Sequence, residues 1–287
     1  MTTDSPGHAG PENSTRNAGF ALLASEITVL FRRRRTWAML AALAAVPILI
    51  AVAVRITEGP SSGRGPAFLD SITQNGLFVS LTALTVAIPL FLPLTVGVVA
   101  GDTIAGEANL GTLRYLLVAP TGRVRLLLVK FAGAGLFCLA ATAVVVLTGA
   151  AIGAMLFPVG PVTLLSGDTI GGAGYAVRLV LLAGYVTLSL LGLTAIGLFI
   201  STMTTMPVGA MAATVVAAVV SQILDSLPQL EWLHPWLFSH HWIGFADLLR
   251  QPIAWNSYAD NALLQLGYIA VFGALAYGRF STKDILS

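Results

Sequence analysis

The sequence contains few charged residues, a single cysteine and no phosphate-binding loop. Charged side chains make up 10% of the 287 residues, against roughly 25% in soluble domains, which excludes an ordinary soluble fold. The lone Cys138 excludes an intrachain disulfide. No G-x-x-x-x-G-K-[ST] motif occurs, so the chain lacks the backbone cradle with which such loops hold nucleotide phosphates.

Apolar residues are abundant instead, at 56% of the chain, and the mean hydropathy is +0.85. A helix needs about 20 apolar residues to cross a hydrocarbon core of about 30 Å. Six stretches are long enough: Trp37–Ile56, Leu77–Gly101, Leu126–Phe157, Leu179–Thr202, Pro207–Leu224 and Ala262–Gly278. Backbone amides in lipid must be bonded within the protein, so these stretches predict helices. We therefore predict an all-α integral membrane protein with six transmembrane helices.

The basic residues are divided unequally between the connections. With a cytoplasmic N-terminus, eleven of the fifteen lysines and arginines lie on the cytoplasmic side and four lie outside. This positive-inside pattern predicts that both termini are cytoplasmic. Arginine outnumbers lysine 13 to 2 and alanine, valine and glycine abound, which suggests a GC-rich bacterial genome and hence a bacterial cytoplasmic membrane.

The N-terminal region divides into two parts before the first span. Residues 1–18 are rich in Ser, Thr, Pro, Gly and Asn, so we expect a disordered cytoplasmic tail ahead of a membrane domain over residues 19–287. Within residues 19–35 an apolar stripe recurs at helical spacing, while Ser25, Glu26 and Thr28 fall elsewhere around the helix; the stripe is Phe20, Leu23, Ile27, Leu30 and Phe31. This pattern predicts an amphipathic elbow helix in the headgroup layer, with Arg32–Arg35 on anionic lipid. The alternative is a plain extension of the first span.

The segment 225–260, which we call the outer segment, contains four of the five tryptophans, interleaved with three prolines; these are Trp232, Trp236, Trp242 and Trp255. Tryptophan favours the membrane interface, and broken helices at membrane depth require shielding by protein or water. We predict short interfacial or re-entrant helices before the last span. The segment also holds His234, His240, His241, Glu231 and Asp247; their spacing fits no tight metal-ligand pattern, so we expect no metal site.

Two glycine pairs in the predicted spans are spaced so that helices can approach closely. They are Gly97 with Gly101 and Gly149 with Gly153. Small residues four apart permit such contact, although they are also common in spans that make only local packing contacts.

The segment 102–125, between the second and third spans, contains a leucine stripe. Leu110, Leu113, Leu116 and Leu117 recur at spacings of three and four, which predicts a short amphipathic helix ended by Pro120 and Gly122. Such a helix suits docking into a groove of a partner protein. The alternative is an ordinary connection whose basic residues only set the topology.

Glu107 precedes this stripe and has no second carboxylate or histidine near it in the sequence. We therefore interpret it as a structural partner of Arg114 or of a neighbouring helix N-terminus, rather than as a catalytic acid.

The same stretch, GEANLGTLRYLLVAPTGRVRLLLVKF, resembles the cytoplasmic coupling motif of type-2 ATP-binding-cassette (ABC-2) transporter permeases. The matching residues are Glu107, Gly111, Thr112, Leu113, Leu116, Leu117, Pro120, Arg123 and Lys130. Arg114 departs from the acidic or neutral residue of many relatives. The elbow helix, the six spans, the outer segment and the ending FSTKDI are also similar to these permeases.

The resemblance implies a transport function rather than an enzyme. Two permease copies, identical or related, would pair with two ABC ATPase subunits, which would bind ATP and Mg and press on the coupling residues. The net charge of +2 is too small to imply a nucleic-acid partner, and we expect no cofactor or metal on this chain. The resemblance assigns Arg114 and Arg123 to the coupling contact with the others. The short turn Ser201–Met206 would be a second, smaller contact with the ATPase.

Within that framework we predict export of a hydrophobic or amphipathic compound, such as a drug-like molecule or a lipid. Ion and proton pathways require charged residues in the bundle interior, and the spans contain almost none. An ABC-type complex for envelope protein maturation or signalling is the main alternative. An ATP-independent secondary carrier is disfavoured, because repeated broken spans in two matching halves are lacking.

Overall fold

The computed structural model describes residues 11–57, 72, 75–111, 122–164 and 166–282, without the side chains of 11–20, 57 and 282. Within these residues the chain forms eight α-helices: α1 (Pro11–Arg32), α2 (Arg34–Thr57), α3 (Phe78–Val86), α4 (Leu92–Asn109), α5 (Arg123–Leu156), α6 (Gly172–Met203), α7 (Pro207–Asp225) and α8 (Trp255–Thr282).

Six of the helical stretches described are long and apolar enough to cross a membrane: α2, the pair α3 and α4, and each of α5 to α8. They coincide with the six predicted spans, which confirms the all-α fold. The fourth span was predicted to begin at Leu179, but α6 begins at Gly172. The preceding connection contains an antiparallel hairpin of β1 (Val162–Thr163) and β2 (Thr169–Ile170).

Helix α1 begins at Pro11, so residues 11–18 of the predicted disordered tail are helical, and the first ten residues lie outside the described part. The helical conformation is interrupted between α1 and α2 at Arg33. Thr36 Oγ1 donates to the Leu30 carbonyl at 2.7 Å, and Trp37 Nε1 donates to the Phe31 carbonyl at 2.8 Å. Side chains of α2 thus satisfy the carbonyls that the end of α1 leaves open, which fixes the elbow between the two helices.

The second span is one apolar run in the sequence, but a π-helical turn, Ala87–Phe91, divides it into α3 and α4. Pro93 has no N–H to offer the carbonyl four residues earlier, and its ring crowds that position. The N–H of Leu92 bonds instead to the carbonyl of Ala87, five residues earlier. The irregularity is therefore a consequence of proline within the span.

Both predicted glycine pairs pack spans of this chain against each other. A Cβ added at Gly101 would lie 2.6 Å from the backbone nitrogen of Met211 in α7, and one added at Gly149 would lie 2.7 Å from a Cα atom of α3. Real Cβ atoms do not approach so closely, so only glycine permits these contacts. Gly97–Gly101 and Gly149–Gly153 thus bring the second span against the fifth and third spans.

The largest apolar core lies between α2, α3, α4, α5 and α6, and includes Leu43, Leu84, Phe137, Leu190 and Trp242. The second and fourth spans are the most buried, whereas α7 and α8 are the least. The outer segment contributes Trp242 to this core, which places part of the segment inside the bundle rather than on its surface.

Candidate functional site

The candidate site is the predicted coupling segment, residues 102–125, with the helices that hold its two ends. Arg32–Arg35 and Arg123 lie at the same end of the bundle, which we call the basic end. The predicted coupling residues Glu107, Gly111 and Arg123 are described. The others lie outside the described residues: Thr112, Leu113, Arg114, Leu116, Leu117 and Pro120.

Two glycines within this segment, Gly111 and Gly122, have left-handed backbone conformations. Gly111 follows α4 with φ +69°, and Gly122 precedes α5 with φ +72°. L side chains rarely adopt this left-handed conformation, whereas glycine does so without a steric penalty. The N–H of Gly111 bonds to the Ala108 carbonyl at 3.1 Å, and the N–H of Leu126 bonds to the Gly122 carbonyl at 3.2 Å. Helix α4 is thus followed by a turn at Gly111, and α5 begins directly after Gly122.

Lys130, about two turns after α5 begins at Arg123, forms a buried ion cluster with two carboxylates. Only 3% of the residue is exposed. Its Nζ lies 2.8 Å from Glu26 Oε2 and also pairs with Glu107 Oε1. A buried charge is strongly unfavourable unless it is paired and hydrogen-bonded. The cluster therefore ties α1, the end of α4 and the start of α5 together.

A second cluster is centred on Asp102 in α4. Arg33 Nη1 donates to Asp102 Oδ2 at 2.7 Å, and Arg35 Nη2 donates to the same oxygen. Asp102 is buried, whereas the two arginine side chains are partly exposed. Arginine–carboxylate hydrogen bonds of this kind are stronger than neutral ones. The bend between α1 and α2 is therefore attached to the second span.

These clusters correct two expectations. Glu26 was predicted to lie away from the apolar stripe of the elbow helix, but it lies on the packed face, because Lys130 supplies the charge that makes its burial tolerable. The basic run was expected to rest on anionic lipid, but Arg33 and Arg35 pair with Asp102. The proposed Glu107–Arg114 pair falls outside the described residues; the partner seen for Glu107 is Lys130.

Arg123, the first residue of α5, is bound to the end of the last helix. Its Nη1 donates to the carbonyl of Phe280 at 3.2 Å and also to the carbonyl of Ser281. The last carbonyls of a helix carry partial negative charge and have no partners within it, so a guanidinium group suits them well. The returning end of the coupling segment is thus attached to α8.

Ser201, near the end of α6, joins the fourth span to the second. Its Oγ accepts the N–H groups of Ile104 and Ala105 at 3.0 and 2.8 Å, and it donates to the Gly101 carbonyl at 2.8 Å. The short turn Ser201–Met206 begins here and ends before α7. The two predicted contact segments at the basic end therefore share α4 as a neighbour.

The opposite end of the bundle, which we call the tryptophan end, is made by the outer segment. It contains three short 3-10 helices, Pro228–Leu230, His234–Trp236 and Gly244–Leu249. Arg178 is buried near the start of α6 and donates to the carbonyl of Leu248. It also donates to the carbonyl of Arg250 at 2.8 Å and to Gln251 Oε1 at 2.6 Å. This anchor was not predicted from the sequence. The guanidinium holds the segment where it rises toward α8.

An earlier part of the outer segment, which includes Phe238 and Trp242, reaches the middle of α6. Trp242 Nε1 donates to the Ser189 carbonyl at 3.0 Å. Ser189 lies 17 residues after α6 begins at Gly172, which is about 25 Å along the helix axis. Asn261 Nδ2 donates to Ser189 Oγ at 2.8 Å, and Gln265 Nε2 donates to the Phe238 carbonyl at 2.9 Å. The segment therefore descends into the bundle as a re-entrant structure.

This polar network was not predicted from the sequence. Two signals for it were present: four tryptophans follow α7, and Asn261 and Gln265 are spaced one helical turn apart on α8. Their spacing puts both amides on one helix face. Sequence alone did not identify α6 as the helix they face.

Two histidines of the outer segment contact neighbouring protein groups. His240 Nδ1 lies 2.7 Å from Asp225 Oδ1, and His234 Nε2 lies 3.1 Å from the Leu227 carbonyl. Among the described residues, no group of three or more His, Cys, Asp or Glu side chains is arranged to hold a metal ion. The His240–Asp225 pair joins the end of α7 to the outer segment.

Comparison with known proteins identifies one family. The family described as "ABC-2 family transporter protein" matches residues 20–285, nearly the whole chain. No curated protein matches the chain significantly. The match covers the elbow, all six spans, the coupling segment and the outer segment.

Proposed function

Because this chain belongs to the ABC-2 transporter family, whose members are membrane components of ABC transporters, we propose that it is the permease subunit of an ATP-driven exporter. Two partner ATPase subunits bind ATP and Mg and hydrolyse the nucleotide. This chain and a second permease copy, identical or related, form the membrane pathway. The basic end faces the cytoplasm of a bacterial cell, in accordance with the positive-inside pattern.

The anchoring of both ends of the coupling segment carries this proposal. On one side, Asp102 and Glu107 in α4 are paired with Arg33, Arg35 and Lys130. On the other, Arg123 is bound to the end of α8. A push by the ATPase on residues 112–121 therefore reaches α1, α2, α4, α5 and α8 through buried or partly buried contacts. Rigid elements joined in this way transmit displacement instead of absorbing it.

The cargo is a hydrophobic or amphipathic compound. The second span exposes Val86, Leu90 and Leu94, and α7 exposes apolar residues beside it; those of α7 are Val216, Val219, Val220 and Ile223. The two spans pack together through Gly97 and Gly101. Their adjoining exposed faces are apolar, which suits a seam between two permease copies and a pathway for a compound that is itself largely apolar.

The coupling role is tested with the double variant L113D/L116D. Carboxylates in the leucine stripe would be desolvated in the groove of an ATPase, so we expect loss of co-purification with the ATPase while membrane insertion is retained. The matched control is T28D, which adds a carboxylate at an exposed position of α1 at the same end of the bundle. Retention of the ATPase and of its stimulated activity in L113D/L116D would refute the coupling role.

A second experiment separates ATP-driven export from the alternatives. The complex is reconstituted in proteoliposomes with a lipophilic dye, and dye movement is followed with ATP, without ATP, and with a hydrolysis-deficient ATPase. We expect movement only with ATP and the active ATPase. Movement driven by an ion gradient without the ATPase would indicate a secondary carrier. ATP hydrolysis that changes envelope protein maturation or signalling, without cargo movement, would indicate the other alternative.

A further inference from the structure

A cavity of about 830 Å³ lies between α8 and the outer segment, away from the coupling site. One wall is a single face of α8, where lining residues recur at intervals of three and four from Asp260 to Phe272. The other wall is formed by Pro235, Trp236 and His241 of the outer segment. This volume falls within the range of about 300–1,000 Å³ of sites that bind small molecules.

The length of the cavity corresponds to one leaflet of a bilayer. Asp260 and Phe272 are twelve residues apart on α8, which is about 18 Å along the helix axis. Half of a hydrocarbon core of about 30 Å is about 15 Å. Asp260 lies near the start of α8 at the tryptophan end, and the lining below it is Leu263, Leu264, Gly267 and Val271 with two aromatic rings. The cavity is thus polar at the level of lipid headgroups and apolar toward the bilayer centre.

The polar end has a single negative charge. Asp260 is exposed, and in the described part of the chain it forms no ion pair. Burial lowers the pKa of His241, and the neighbouring His240 lowers it further. His241 is therefore neutral at neutral pH and does not offset the carboxylate. A ligand headgroup complementary to this end carries a positive charge that can approach a carboxylate.

The apolar part has rigid aromatic walls. The rings of Tyr268 and Phe272 are stacked with centroids 5.9 Å apart and an interplanar angle of 4°. Tyr268 Oη donates to the Trp236 carbonyl at 2.7 Å, which joins the two walls. Trp236 itself remains 70% exposed. Such a surface is preorganised for a flexible hydrocarbon chain, because its own side chains lose little freedom on binding.

From this geometry we propose that the cavity binds one lipid of the leaflet at the tryptophan end, and that the lipid has an ammonium headgroup. The ammonium pairs with Asp260, and an acyl chain lies along α8 to Phe272. Phosphatidylethanolamine is a lipid of this class. The site depends neither on ATP nor on a transport cycle, so it goes beyond the proposed function and can be tested without it.

The test uses the F272W variant of the full chain, together with its ATPase where the two co-purify, in nanodiscs of phosphatidylglycerol. Tryptophan fluorescence is titrated with phosphatidylethanolamine brominated in the middle of its acyl chains, and the quenching of the wild-type protein is subtracted to isolate the new indole. The same titration with brominated phosphatidylglycerol gives the baseline. One headgroup charge near a membrane surface changes affinity by about fivefold, so we expect half-quenching at an about fivefold lower mole fraction of the ammonium lipid.

Two further variants assign that preference to Asp260. F272W/D260N removes the carboxylate from the cavity, and F272W/E231Q removes one from the same outer segment at a position that does not line it. We expect the preference to disappear in the first and to remain in the second. Equal quenching by both lipids in F272W, or an unchanged preference in F272W/D260N, would overturn the proposal.

A soluble competitor provides a check that does not depend on the folding of the variants. Dodecyltrimethylammonium is added to the F272W protein in nanodiscs that contain the brominated ammonium lipid. The unbrominated ammonium lipid is added in a parallel competition. If both competitors reduce the quenching, the result supports a lipid site. Displacement by the detergent cation with no preference between the two lipids would show a site for soluble amphiphilic cations and would overturn the assignment to a lipid.

Discussion

Replacement of Lys130 by methionine should destabilise the bundle more than the loss of any exposed basic residue. Methionine keeps the length of the side chain but leaves Glu26 and Glu107 facing each other without their shared cation. Both carboxylates are mostly buried, with 23% and 17% of their side chains exposed. The variant K130M therefore removes the cation that two mostly buried acids share at the junction of α1, α4 and α5.

The size of the effect follows from this burial. Removal of one partner from a buried ion pair costs about 3–5 kcal/mol, because the remaining charge is left desolvated. Partial exposure of the carboxylates reduces the penalty, so we expect about 3 kcal/mol. At about 2–4 °C per kcal/mol for domains of 150–250 residues, the melting temperature should fall by about 6–12 °C. The control R34M removes an exposed charge nearby and should change stability by less than about 0.5 kcal/mol.

The assay is thermal unfolding of the purified protein in one detergent, followed by intrinsic fluorescence and by size-exclusion chromatography after heating. The triple variant E26Q/K130M/E107Q replaces the whole ion cluster by neutral groups of similar size. It should recover most of the loss, since a buried ion pair and neutral groups of the same shape are often nearly equal in stability. Equal melting temperatures for K130M and R34M, or a triple variant as unstable as K130M, would refute this account of the cluster.

Two other predictions concern packing within the bundle. The variant G101V places a Cβ 2.6 Å from the backbone of the fifth span, so it should lower the free energy of unfolding by about 1–3 kcal/mol or more. The control G273V, where nothing lies within 4 Å of an added Cβ, should leave stability unchanged. Equal melting temperatures for the two variants would contradict the close contact. The variant W242F removes the donor to the buried Ser189 carbonyl and should destabilise the outer segment by about 1–3 kcal/mol. The exposed W232F is its control, and limited proteolysis of the outer segment is the measurement; equal cleavage rates would count against the anchor.

The course of the chain through the membrane could be predicted from hydropathy because the bilayer imposes one requirement on every span. A run of about 20 apolar residues must be helical in lipid, whatever its neighbours are. Helix ends were less accurate because they depend on tertiary contacts. Arg178 lies within α6 although its charge suggested a loop, because backbone carbonyls of the outer segment accept its hydrogen bonds.

The coupling segment remains a prediction from the sequence, and the contacts seen at its two ends could not be predicted. The leucine stripe, with Pro120 and Gly122 at its end, predicted a separate segment, since these signals are local. The ion pairs Lys130–Glu26 and Arg33–Asp102 join residues 104 and 69 positions apart. No periodicity connects residues at such separations, and each charge has several possible partners of the opposite sign. The glycine pairs likewise predicted close contacts but did not identify the helices involved.

The placement of charge bears on how such a bundle is driven. Lys130, Asp102 and Glu107 lie near the basic end, and Arg178 lies near the tryptophan end, so the charges of the spans are concentrated at the two ends. Between them, the buried polar groups are neutral, as in the network of Ser189, Asn261 and Gln265. A proton or ion pathway needs Asp, Glu, His, Lys or Arg side chains along its length, and among the buried residues that the structure describes none of these lies in the middle of the bundle. Under the proposed function, work is delivered at the basic end by a separate subunit, and such a mechanism does not require a chain of charges through the bundle.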